Sequence, residues 1–264
     1  MFNTKIVFAM LVTGAMMLPV SGALKVDTEA VVPDFALEYL LPADFGCESG
    51  SHTYTFPDPT HPGVMASVDI LCPNPNEVSL DALTDCPGTS WSHWQGPAAQ
   101  AWTYTYDTTN PFGFSQANVA SAWDGANAAW DAQVAKQLFA GHVFGGTSAD
   151  SGVYDSYILA EFRSMGGQLR NAVGVQWAWA SGGKIVHTDA AYNTNYPFAL
   201  GAVANKYDLQ SIAAHEMGHG YGMGHSDTST ASQCLTVYPY ATLGSAHGRT
   251  LGDGDILGIQ ARGY

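Results

Sequence analysis

Basic residues are scarce in this chain: Lys and Arg total 9 against 23 Asp and Glu over 264 residues, a formal charge of -14. Such a field repels phosphate backbones and anionic lipid, which argues against a nucleic-acid partner. Charged residues of both signs make up only 12% of the chain, well below the usual quarter. Disorder does not follow, because 46% of the residues are hydrophobic, 12% are aromatic and 29 are glycine, a composition suited to a turn-rich folded domain. Internal repeats are absent. Long apolar runs are absent too after the first two dozen residues. Residues 1–23 hold a lone Lys5, the run IVFAMLVTGAMMLPV and a small-x-small ending, Ser21-Gly22-Ala23, and read as a signal peptide cleaved after Ala23. Gly14 and Pro19 interrupt that run, so it is too short for a membrane span. The expectation is a secreted, extracellular monomer that makes no membrane contact after signal cleavage. The remaining stretch of about 240 residues suffices for one sizeable core with a smaller appendage.

Composition changes near residue 96. Residues 24–96 are rich in Pro, Asp and Ser, as in FPDPTHPGV and CPNPNEV, with short apolar pieces such as ALEYLL and VMASVDIL. Beyond them the periodicity becomes regular. WTYTYD alternates as a strand does, and Ser115 is placed to cap a long helix whose Val119, Trp123, Ala126, Trp130, Val134 and Leu138 form one packing face. Further strands are expected at 154–162, 172–180 and 184–193. A second helix is expected from a cap at Asp208, and a last one within LGDGDILGIQARGY.

That second helix carries the start of HEMGHGYGMGH, residues 215–225, and is expected to end by Gly220 or Gly222. His215 and His219 are four apart, so on a helix both imidazoles project from one face and can grip one ion. Catalytic zinc usually takes three protein ligands and keeps a fourth position for water, and His225 supplies the third. Gly222 falls where the chain must leave the helix and turn back. Glu216, beside the first ligand, is the expected general base. It would take a proton from a water activated by the zinc and return it to a leaving amine. One catalytic Zn2+ is therefore expected.

Only four cysteines occur, Cys47, Cys72, Cys86 and Cys234. An even count in an exported chain suggests two disulfides, with three connectivities that the sequence leaves open. If all four pair, one bridge must tie the N-terminal segment to the zinc-motif part. The competing reading is a free thiol directed at the metal.

HEMGHGYGMGH resembles the metzincin clan of zinc metallopeptidases, and its context resembles the matrixin branch. Ser226 follows the third histidine as in matrixins, and Leu251, Asp255, Ile256, Gly258, Ile259 and Gln260 are similar to that family's C-terminal helix. The resemblance spans about residues 98–264. It implies an α+β zincin-like metzincin fold: a twisted mixed β-sheet, a long helix, an active-site helix and a small C-terminal subdomain. It assigns 97–264 to the peptidase domain. Residues 24–96 remain open between a removable propeptide, making the protein a zymogen, and a permanent disulfide-bonded extension. The implied function is a secreted endopeptidase that cuts proteins or peptides with His215, His219 and His225 on zinc and Glu216 as base.

The same resemblance gives Pro239 and Tyr240 to the wall of the pocket for the residue after the cut bond. Residues 182–189, with Ile185, Val186 and His187, resemble the edge strand along which a substrate would lie. Two family features are missing. No methionine follows Met223, so Val237, next to Tyr238, is expected in the turn under the zinc; and no PRCGxPD cysteine switch occurs. His142, His187 and His247 with Asp150, Asp155 and Asp189 are candidates for a structural Zn2+ or Ca2+ such as matrixins often hold, although satisfied structural roles are favoured for them. His52, His61 and His93 are expected at the surface. An inactive zinc scaffold and a hydrolase for non-peptide amides are the competing functions, and the intact Glu216 favours catalysis.

Overall fold

The apolar runs assemble into one mixed sheet with helices on one face. In the computed structural model, residues 37–76, 86–94, 96–145 and 150–264 are described. The expected signal peptide, 1–23, lies outside the described residues. In chain order the strands are β1 (Thr53–Pro57), β2 (Met65–Pro73), β3 (Ser92–His93), β4 (Trp102–Asp107), β5 (Phe139–Phe144), β6 (Leu159–Arg163), β7 (Gly174–Ser181), β8 (Lys184–Asn193), β9 (Phe198–Ala199), β10 (Tyr207–Asp208), β11 (Met223–Gly224) and β12 (Tyr240–Ala241). The α-helices are α1 (Gln116–Asp131), α2 (Leu209–Gly220) and α3 (Asp253–Ala261). No helix among the described residues is long and apolar enough to cross a membrane.

The main sheet has the order β1-β2-β7-β8-β6-β4-β5, with β12 paired to β2. Strands β4, β5, β6 and β8 run parallel, whereas β7 is antiparallel to both β8 and β2. Alternation along the strands feeds two cores. On the helical face, Trp102, Tyr104, Trp123, Trp130, Tyr192 and Met217 pack together. On the other face, Leu37, Phe45 and Phe56 from the N-terminal segment cover Val68, Trp177 and Trp179. Residues 37–76 thus supply two strands of the sheet and much of its second core.

Helix α1 starts at the expected cap, where Ser115 Oγ accepts from the Asn118 amide. It stops at Asp131, not near residue 138 as the apolar spacing suggests. The Asp131 carboxylate accepts from the amides of Leu138 (2.5 Å) and Phe139 (3.2 Å), which turns the chain out of the helix. Leu138 is buried all the same, but it reaches the core from the loop. The strand expected at 154–162 begins only at Leu159, because Asp155 closes a turn onto the Tyr157 amide. Strand β8 matches its expected bounds.

The fold also fixes the cysteine pairing. Cys47 pairs with Cys72 and Cys86 with Cys234, so the free-thiol reading is wrong. The second bridge ties Cys86 to the part that carries the zinc motif.

Candidate metal centre

Helix α2 is anchored at its start by Asp208, which is 1% exposed. Its carboxylate accepts from the Ser211 amide and hydroxyl and from both arms of the Arg249 guanidinium, at 2.7 and 2.6 Å. Bidentate pairing of this kind fixes geometry as well as charge. The helix then lies against α1 through a glycine: a β-carbon at Gly218 would come 2.6 Å from Trp130 Cζ2. The Trp130 indole donates to the Ala214 carbonyl at 2.7 Å, so the turn bearing His215 is fixed from behind.

Each helix histidine is oriented through its Nδ1. His215 Nδ1 lies 2.7 Å from the Thr236 carbonyl and His219 Nδ1 2.8 Å from the Met223 carbonyl. A carbonyl only accepts, so both Nδ1 atoms carry the proton and both Nε2 atoms keep a free lone pair. Those two Nε2 atoms are 3.0 Å apart. Two nitrogens at ordinary Zn–N lengths and a tetrahedral angle stand about 3.3 Å apart. Gly222, with φ of +88°, reverses the chain immediately after α2, and it brings His225 back to the pair. The ring-nitrogen ligand atoms of His215, His219 and His225 all lie within 4.8 Å of one another. Burial, followed by the neighbouring imidazoles, holds the His215 and His225 pKa values well below the usual histidine range, so both rings stay neutral, as metal ligation requires.

Glu216 is fully buried, and neither carboxylate oxygen has a hydrogen-bond partner. Burial first, then the nearby Asp69, raises its pKa well above the ordinary carboxylate value. Room for it comes from Gly174 on β7, where a β-carbon would overlap Glu216 Oε1. An orphaned buried carboxylate beside three convergent imidazoles fits a site completed by a cation and water. The donor set therefore fits zinc: three neutral imidazoles with an adjacent carboxylate.

The turn after the third histidine forms without methionine. The Tyr238 amide donates to the Leu235 carbonyl, and the Thr236 carbonyl at its tip is the one that receives His215 Nδ1–H. Buried Asp255 on α3 fastens this turn by accepting from the amides of Thr236, Val237 and Gly252, at 2.8, 3.2 and 2.8 Å. Val237 is fully buried in the helical-face core with Met217. Tyr238 and Tyr240 line a pocket together with His215, Leu235, His247 and Leu71, while Pro239 turns its carbonyl toward the Cys72 amide.

Ile185, Val186 and His187 lie on β8, which stands between β7 and β6 in the order of the sheet. Strand β8 pairs with β7 over residues 184–192 and, on its other side, with β6 at 190–193, while Ile185 bonds Pro97 and Ala99. At Ile185 both backbone groups are used, whereas β6 covers that side of the strand only from Ala190 to Asn193. The strand next outward is β7. His187 itself is held by the Val153 carbonyl and packed between Tyr154 and Trp179. His142 bonds Asp124 and stacks on Tyr106.

Asp189 accepts from the Gly152 and Leu159 amides. Among the described residues the one other group with three convergent ligand types is Cys86, Cys234 and His247, whose cysteines form a disulfide. Among the described residues, the histidines and aspartates considered for a structural metal form no further group of three convergent ligand atoms.

Sequence reasoning missed several neighbours of the centre. His52 was expected at the surface, but its ring meets Tyr240 and His225 edge-on, at centroid distances of 4.8 and 5.8 Å. Thr53 Oγ1 lies 3.3 Å from His225 Nδ1 and donates to Asp69. His93, also expected outside, reaches the Gly258 carbonyl. Gly174 was legible in principle, since a glycine inside an apolar strand marks close approach by another group.

A family model described as Matrixin (Peptidase_M10) matches residues 93–262. No curated protein matches the chain.

Proposed function

Because the chain belongs to the matrixin family of zinc metalloendopeptidases, we propose that it hydrolyses internal peptide bonds of proteins with His215, His219 and His225 as the zinc ligands and Glu216 as the general base. The observation that supports this most is the convergence of three imidazoles beside a buried carboxylate that nothing else satisfies. Zinc bound there would supply a Lewis acid that polarises the substrate carbonyl and acidifies water.

Glu216 takes the proton of the attacking water. Its raised pKa suits both accepting that proton and passing it to the leaving amine. His215 and His219 keep their orientation through the Thr236 and Met223 carbonyls, so the ligand set is preorganised before substrate arrives. The pocket bordered by Tyr240, Tyr238 and Leu235, with Pro239 in the segment between the two tyrosines, would receive the side chain that follows the cut bond. Its half-apolar lining suits an uncharged side chain. Both disulfides agree with export to an oxidising compartment.

Metal analysis of the purified chain should give one zinc per molecule, reduced by His215→Ala, His219→Ala or His225→Ala. Prolonged incubation with a protein substrate should give internal cleavages, detected by mass spectrometry, that a chelator or Glu216→Ala abolishes. Zinc content indifferent to all three histidines would overturn the ligand assignment, and cleavage that survives Glu216→Ala would overturn the role of the base.

A further inference from the structure

The outer edge of β7 is occupied by the chain itself. Strand β2 runs antiparallel along it, from Met65 opposite Ala180 to Leu71 opposite Gly174. On its other side β2 runs parallel to β12, with Cys72 opposite Tyr240 and Pro73 opposite Ala241. These two partners are the walls between which an extended peptide would be held by β-augmentation. The main-chain bonds are those of a bound peptide: the Val173 amide donates to the Leu71 carbonyl (2.7 Å), Cys72 donates to Pro239 (3.1 Å), and Asn74 donates to Ala241 (2.8 Å).

The side chains agree with the backbone. Leu71 is 2% exposed and lines the pocket formed with His215, Leu235, Tyr238 and Tyr240. Two residues earlier, Asp69 accepts from the Thr53 hydroxyl, which also lies 3.3 Å from His225 Nδ1. Residues 69–71 therefore run past the centre, linked to His225 through Thr53 and sharing the His215 pocket through Leu71. A strand serving the sheet alone would need the pairing with β7. It would not need to thread between β7 and β12 or to fill the pocket.

We infer that β2 is a tethered, substrate-like strand seated in the protein's own peptide-binding cleft, with Leu71 in the pocket for the residue after the cut bond. The inference rests on the peptidase reading given above. It makes the segment before residue 77 an intramolecular blocker that must be displaced before another chain can be cut. The covalent topology permits displacement. Cys47–Cys72 closes within the blocking segment, and Cys86–Cys234 joins the chain beyond it to the catalytic part, so neither bridge fastens residues 37–76 to residues 86–264.

Two measurements on the zinc-loaded full chain test this separately from the peptidase reading. In Glu216→Ala, which cannot cut, amide hydrogen exchange of residues 65–74 should be as slow as that of α2. Exchange at the rate of a free chain would overturn the inference whether or not the protein is a peptidase. With Glu216 intact, Leu71→Ala and the stronger Leu71→Asp should raise the initial rate on an internally quenched peptide, one with leucine after its scissile bond, at least tenfold over the parent chain. Equal rates in all three, with α2 still protected, would overturn the inference and leave the peptidase reading standing. No hydrolysis by any of the three, with residues 65–74 exchanging freely in the Leu71 variants, would overturn the peptidase reading, and the substrate-like assignment of β2 with it.

Discussion

Replacing Gly218 by alanine sets two physical effects against each other, and the structure decides between them. Gly218 directly precedes His219 in α2. Helix propensity alone makes Gly→Ala stabilising by about 0.5–1 kcal/mol. The new β-carbon would, however, lie 2.6, 3.1 and 3.3 Å from Cζ2, Cε2 and Cη2 of Trp130. Carbon atoms at their optimum stand about 3.5–4.0 Å apart, so the ring would have to withdraw by about 1 Å.

It has nowhere to go, because Trp130 is 0% exposed and its indole nitrogen is bonded to the Ala214 carbonyl. Overpacking of this kind costs about 1–3 kcal/mol, and weakening the indole hydrogen bond adds about 1 kcal/mol. After the propensity gain is subtracted, a net loss of about 1–3 kcal/mol is expected. For a domain of this size that corresponds to a fall in Tm of about 2–12 °C. Thermal unfolding of the zinc-loaded protein, followed by circular dichroism, reads it directly. With the ring removed by Trp130→Ala, the same Gly218→Ala change should become neutral or stabilising, a coupling that a double-mutant cycle isolates. A Tm that rises on Gly218→Ala while Trp130 is present would refute the packing argument.

Three further outcomes are expected. Gly174→Ala should keep zinc stoichiometry but lower kcat by about 100-fold or more, the usual worth of a positioned base, because the new methyl group overlaps Glu216 Oε1; zinc analysis alongside peptide kinetics measures both. Asp255→Ala leaves the amides of Thr236, Val237 and Gly252 without their acceptor. Denaturant unfolding should therefore show a loss of about 3–5 kcal/mol, and competitive chelation a zinc affinity about 10- to 100-fold weaker. The bridges should differ in worth, since their sequence separations are 148 for Cys86–Cys234 and 25 for Cys47–Cys72. Chain entropy gives about 5 and about 3.5 kcal/mol respectively, so the paired serine substitutions should rank in that order by denaturant unfolding.

Much of the metal centre was legible because it is local. His215, Glu216 and His219 occupy one helix whose 3.6-residue period fixes their relative directions, and Gly222 marks the reversal that returns His225. The cap at Ser115, the cap at Asp208 and strand β8 were legible for the same reason. Helix α1 was overestimated because apolar spacing continues to Leu138, whereas the carboxylate of Asp131 ends the helix through two amides beyond it. The role of Asp255 in fastening the turn that holds His215 is a contact across some twenty residues that no local pattern encodes.

The convergence of His215 and His219 was determined by the sequence alone, since helix geometry converts their spacing directly into a shared face. Which strand forms the wall of the cleft was not. Strands 174–181 and 184–193 are both apolar and adjacent, and only the sheet order shows that β8 is internal and that β7 carries β2 on its outer edge. The cysteine pairing, the approach of His52 and Thr53 to His225, and the seating of Leu71 beside His215 likewise depend on residues more than twenty positions apart. Long-range register is set by the mutual burial of whole strand faces, and that is a property of the folded sheet.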